Sequence, residues 1–204
     1  TDAIKNAERN GSKAIVIAPE ITGTAKKVTV ELPKASVSSI ASSSGVDLKV
    51  ETPVGSVTIP NGALASIASQ AAGSTVTVTI ESVKKKTLTE AQQKLMGGSD
   101  VFDISITSGG KNISSFDGKS ITISLPYTLK AGETADGVTI WYLNDKGELE
   151  KVACKYDKAT GLATFTTNHL SRYLVGYSKA WQNPFADVKS ADWFYGAVEY
   201  ASMN

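Results

Sequence analysis

The sequence has a single cysteine, Cys154, so it carries no disulfide framework of its own. It also has a single histidine, His169, and with one Cys and one His no zinc-ligand spacing can be written. Charge of one sign is missing too. The 21 basic and 20 acidic residues are intermixed and sum to +1, which leaves no strongly basic face and makes nucleic acid a poor partner. No apolar run approaches the length that spans a membrane. There is no phosphate-binding P-loop, no glycine-rich dinucleotide fingerprint and no pair of catalytic carboxylates on one element. No cofactor is expected. No leader segment is readable, and both ends look like cuts in a longer polypeptide.

What the chain does have is Ser, Thr, Val, Ile and Gly, a bias toward β-structure, and 204 residues, enough to bury a real core. Residues 1–51 read as a small α/β unit. They give a helix up to Asn10-Gly11, an apolar strand Ala14–Ala18, an alternating strand Lys27–Leu32 stopped by Pro33, a short helix over Ala35–Ser44 and a strand Val46–Glu51. From Thr52 the texture changes to short strands between turn signals. Thr75–Glu81 alternates most cleanly, with Val76, Val78 and Ile80 on one side and threonines on the other. Further strands are expected at 101–107, 120–125, 138–143, 149–153, 163–166 and 173–177. Asn61 is read as a helix cap with Gly73 as that helix's end, and a second short helix is expected over Thr89–Leu95. Residues 52–178 are therefore expected to form an antiparallel β-sandwich, followed by a linker at 179–184.

Two stretches carry candidate chemistry. Asp145 and Asp157 sit in Asp- and Gly-bearing turns that could suggest calcium, but neither has the carboxylate spacing of a calcium loop, and hairpin geometry explains both. The stretch Thr167-Asn168-His169-Leu170-Ser171-Arg172-Tyr173 is richer. It resembles the end of sandwich domains in bacterial surface-layer proteins. The triplet His169-Leu170-Ser171 is also similar to the self-cleavage triplet of adhesion-receptor GAIN domains and of some domains related to those of netrin receptors and ankyrins. Val57-Thr58-Ile59-Pro60-Asn61-Gly62-Ala63-Leu64 resembles a stretch of that last family. The resemblance implies scission at Leu170-Ser171: Ser171 Oγ attacks the Leu170 carbonyl, His169 takes the proton, and water opens the ester. On the other reading His169 and Ser171 satisfy backbone groups while Leu170 packs inward. Asn183-Pro184 is a chemically labile bond and also a natural linker boundary. Cys154 is read as a small, partly buried apolar residue at the end of the strand that starts at Leu149.

The last twenty residues carry the most specific pattern. Phe185-Ala186-Asp187-Val188 is followed by Asp192-Trp193 and by Ala197, with Trp193, Ala197, Tyr200 and Ala201 on one helical stripe that Ser190 can cap. This resembles the opening of an S-layer homology (SLH) repeat, and the matching residues are Phe185, Asp187, Trp193 and Ala197. The resemblance implies a Gram-positive cell-surface protein, extracellular in the wall or S-layer. Its complete SLH region would bind secondary wall polysaccharide non-covalently. The Thr-Arg-Ala-Glu-like second half of the repeat is not in this sequence. The expected architecture is mainly β: an antiparallel β-sandwich preceded by a small α/β unit, with a C-terminal SLH-type helix at 185–204. The expected role is a structural spacer, not an enzyme. A self-cleaving sandwich and a carbohydrate-binding module stand as alternatives. For the latter Trp141, Tyr142 and Tyr127 are the aromatic candidates, and alternation puts Trp141 and Tyr142 on opposite faces.

Overall fold

A computed structural model describes residues 2–43, 45–83, 89–90, 100–144, 146–178, 185–189, 191–195, 197–198 and 201. The segment Thr75–Val83 shows how the architecture arises. Val76, Val78 and Ile80 are buried while the threonines between them stand on the other face. A strand with this period must bury its apolar face against a second layer, which here is the other sheet.

The elements run α1 (Asp2–Arg9), β1 (Ala14–Ile17), β2 (Lys27–Pro33), α2 (Lys34–Ala41), β3 (Asp47–Thr52), β4 (Gly55–Ile59), α3 (Asn61–Gln70), β5 (Thr75–Val83), β6 (Asp100–Ser108) and β7 (Lys111–Asn112). They continue with β8 (Ile121–Pro126), a 3-10 turn (Ala135–Gly137), β9 (Val138–Leu143), β10 (Leu149–Val152), β11 (Cys154–Asp157), β12 (Leu162–Thr167) and β13 (Arg172–Tyr177). The first sheet has the order β1-β3-β4-β8-β12-β11 and the second β10-β9-β13-β6-β5-β2, with β7 paired to β6. The chain is mainly β, with two sheets packed together as a sandwich. Every strand pair is antiparallel except β1 with β3.

The expected division at 51/52 is corrected by the pairing. β3 runs through that point and is hydrogen-bonded to β4, and β2 closes the second sheet against β5. Val30, Leu48 and Val50 share one continuous core with Val57, Ile104, Ile123 and Ile140. The alternation of β2 and β3 has one apolar side, and that side is buried in the core shared with the rest of the sandwich.

Asn61 is corrected as well. The residue before α3 is Pro60, which makes no side-chain cap, and Asn61 is the first helical residue. Its Nδ2 instead donates to the carbonyls of Ile40, Ala41 and Ser43 at 2.9, 2.9 and 2.6 Å, tying the end of α2 to the start of α3. That helix stops at Gln70, ahead of Gly73. Gly73 serves packing: a Cβ there would lie 2.7 Å from the backbone nitrogen of Gly109.

One apolar row lies outside the core. Trp141, Leu174, Val101 and Val83 are neighbours across β9, β13, β6 and β5, and Leu174 is fully buried although its neighbours Tyr173 and Val175 face the core. The expected strands beyond Thr75 all form, within one or two residues of their expected ends. The Thr89–Leu95 helix (apart from Thr89 and Glu90), the lysine run 84–86 and the linker 179–184 lie outside the described residues.

Candidate functional site

β12 belongs to the first sheet and β13 to the second, so the four residues between Thr167 and Arg172 carry the chain from one sheet to the other. Backbone groups at such a crossing leave their ladders and need other partners. His169 forms an isolated antiparallel bridge with Ser115, and the Leu170 N–H donates to the Ser114 carbonyl at 3.0 Å. The fully buried Tyr173 reaches back from the start of β13. Its hydroxyl donates to the His169 carbonyl at 2.7 Å and lies 3.0 Å from Thr167 Oγ1, which itself donates to the same carbonyl at 3.0 Å. A strand-start tyrosine gripping the backbone a few residues upstream is the geometry of a tyrosine corner. Burial pushes the Tyr173 phenol up to about 12.

The reactive triplet is not assembled. Ser171 Oγ donates to the Leu143 carbonyl at 3.0 Å, at the far end of β9. His169 Nδ1 lies 3.1 Å from Asn168 Oδ1 and 3.4 Å from Thr167 Oγ1, and its ring sits edge-on against Tyr142 with centroids 4.8 Å apart. His169 Nε2 is buried and meets no hydrogen-bond partner among the described residues. Serine attack requires a hydroxyl whose proton points at the base. Here that proton is on a carbonyl, and the carbonyl held by two hydroxyls belongs to His169 rather than to Leu170. In this arrangement the triplet fastens a sheet-to-sheet crossing. Sequence spacing points to Thr167 and Tyr173 only as parts of a motif; the strand-start tyrosine four residues after a histidine is the signal that could have identified the corner.

The aromatic candidates for a glycan platform lie in three places. Trp141 is in the outer row of the second sheet, and Tyr142 is on the opposite face of the same strand, as alternation requires. The Tyr142 hydroxyl donates to Glu150 at 2.6 Å and Asn144 Nδ2 donates to the same carboxylate at 2.8 Å, which together hold Glu150 below the usual carboxylate range. Tyr127 is only 4% exposed and donates to Glu133 at 2.8 Å; burial first and that carboxylate second push its phenol up. It lies beneath a cleft of about 580 Å³ bordered by Lys26, Phe102 and Lys130. No row of stacked rings is formed by these three.

Asp157 spends its carboxylate on its own turn, accepting from Ala159 N–H at 2.9 Å and Thr160 Oγ1 at 3.0 Å, which lowers its pKa. Asp145 lies outside the described residues. Cys154 does not end the strand from Leu149: the chain changes sheets at Ala153, and Cys154 opens β11. Its Sγ lies 3.4 Å from the Val138 carbonyl, and burial pushes the thiol up.

In the C-terminal segment Asp192 Oδ2 accepts from the Lys189 N–H at 2.7 Å while the Asp192 N–H donates to the Lys189 carbonyl at 2.9 Å. This is the carboxylate half of a capping box at the start of a helical turn. The turn continues through Tyr195 to Asp192 and Val198 to Phe194 at 3.0 and 3.1 Å. Phe185 is 44% exposed and Trp193 94% exposed; Asp187 lies in an exposed turn, and Ala197 is helical and exposed. Ser190, Tyr200 and residues 196, 199 and 202–204 lie outside the described residues, so the continuous helix expected to the end of the chain is not confirmed. Among the described residues no helix is long and apolar enough to cross a membrane.

No family model matches the chain. No curated protein matches it either.

Proposed function

We propose that the chain is a structural spacer of a secreted, wall-associated surface protein, a sandwich that holds neighbouring modules apart beside an SLH-type anchor. The observation that carries this reading is the segment Phe185-Ala186-Asp187-Val188 through Ala197. In it the motif's two large aromatics, Phe185 and Trp193, are exposed, while Asp192 already caps the first helical turn. An aromatic that the sandwich does not bury is suited to pack against the remainder of a repeat. The sandwich itself supports the same reading. At the one suggestive triplet the Ser171 hydroxyl is committed to the Leu143 carbonyl and the His169 carbonyl is held by Tyr173, which stiffens a crossing. The implied wall polysaccharide would be held by the complete SLH region of the parent protein.

Antibodies raised against this chain should label intact cells of the producing organism, and protease treatment of intact cells should remove the label. Labelling only after lysis overturns the surface assignment. The chain alone should stay in the supernatant when purified walls are pelleted, because the second half of the repeat is not in its sequence. Co-pelleting would instead establish a binding module.

A further inference from the structure

Among the described residues β1 is the outermost strand of the first sheet and pairs only with β3. The Asp47 N–H donates to the Lys13 carbonyl at 2.8 Å, and the register places Ile15 beside Leu48 and Ile17 beside Val50. In a parallel ladder of this phase the N–H and C=O of Ile15 turn toward β3, and those of Ala14 and Val16 turn away. The Ala14 carbonyl accepts from Ser12 Oγ at 2.9 Å. Val16 has no such local partner among the described residues, and it is 53% exposed.

Exposed edges invite further pairing, and folded proteins blunt them with charge, proline or bulges. The other three edges carry charge: Glu150 and Lys151 on β10, Lys155 and Asp157 on β11, Lys27 and Glu31 on β2. β1 reads Ala-Ile-Val-Ile and carries none. Beside it runs a groove of about 510 Å³, floored by Ile4, Ile15, Leu32, Val37 and Ile40, with no charged residue in its lining.

We propose that β1 is the pairing edge for a second copy of this chain. Two β1 strands meet antiparallel about a two-fold axis through Ile15, joining two six-stranded sheets into one. This register sets Ala14 opposite the other copy's Val16 and the reverse, so the outward N–H and C=O groups of both strands satisfy one another. An isologous contact of this kind closes on itself. Lys13 falls opposite the other copy's Ile17, so no like charges meet. The other copy's Ile15 and Ile17 extend the apolar lining and cover the groove. A charged partner strand would leave its charges against that lining, which is why a second copy fits better. The contact is short, and self-association is therefore concentration-dependent. The inference rests on the edge alone and stands apart from the spacer reading.

The test is cross-linking with Cys154→Ser as background. Ile15→Cys faces itself across the axis in a non-hydrogen-bonded pair, where Cα atoms lie about 4.5 Å apart, within disulfide range. Mild oxidation should give a covalent dimer that melts cooperatively. Lys155→Cys on the opposite edge should give none. In sedimentation the wild-type chain should show a dimer that Val16→Lys abolishes; residue 16 is exposed in the single chain, so circular dichroism should be unchanged. A wild-type chain that sediments as a monomer up to about millimolar concentration overturns the proposal. Equal cross-linking at positions 15 and 155 overturns it too, as does a Val16→Lys chain that dimerises like the wild type.

Discussion

Tyr173 shows how much one hydroxyl can organise. It holds the His169 carbonyl where the chain leaves one sheet for the other, in a fully buried position. Tyr173→Phe keeps the ring packed against Phe165 but leaves that carbonyl with the Thr167 hydroxyl alone. An under-satisfied buried acceptor costs about 1–3 kcal/mol. The variant should melt several degrees lower at neutral pH, roughly 2–4 °C per kcal/mol for a chain of this size. The phenol's folded pKa, about 12, is raised above the ordinary value of about 10. Its contribution is therefore fully present below about pH 10 and is lost as pH rises through about 12. Thermal melts across that window should show a steeper loss for the wild type than for Tyr173→Phe, and parallel curves would contradict the assignment. The sequence marks His169-Leu170-Ser171 as suggestive, but chemistry depends on where protons point. Ser171 finds its acceptor at Leu143, 28 residues away, and no local pattern encodes that direction.

At the scale of elements, one side chain ties the end of α2 to the start of α3. Asn61 is an attractive cap on paper because it follows Pro60 and precedes an apolar helical run. The fold uses its amide as a donor to three carbonyls at the end of the preceding helix. Asn61→Ala should lower the unfolding free energy by about 1–2 kcal/mol, read as a lower urea midpoint with an unchanged slope. Asn61→Asp should cost more than the alanine, since it turns a carboxylate toward three acceptors. If Asp proves as stable as Asn, those carbonyls are not what position 61 satisfies. The strands are more legible in the sequence than the caps. Period-two alternation in β2, β5 and β8 declares an apolar face without any knowledge of the partner.

At the scale of the whole molecule, the N-terminal fifty residues are structural members of the sandwich. β3 fills the interval between β1 and β4, and β2 closes the second sheet. Removing residues 1–51 deletes Val28, Val30, Leu32, Leu48 and Val50 from the core and bares β4 and β5. Each buried aliphatic side chain contributes about 1.5–3 kcal/mol, so the loss is on the order of the whole stability of an ordinary domain. The shortened chain should lack a cooperative melt and dispersed amide resonances. A folded product would restore the separate α/β unit. The change of texture at Thr52, from mixed helix and strand to strands alone, marks a change in local pattern and not a boundary in space.

The sequence by itself determined that this protein is mainly β and where its strands lie. Those properties are local: alternation, turn residues and motif spacing act over a few neighbouring positions. Only the tertiary structure decided which sheet each strand joins, that the first fifty residues complete the sandwich, and that Ser171 serves Leu143. The same alternating strand fits either sheet equally well, and long-range backbone pairing and burial make the choice.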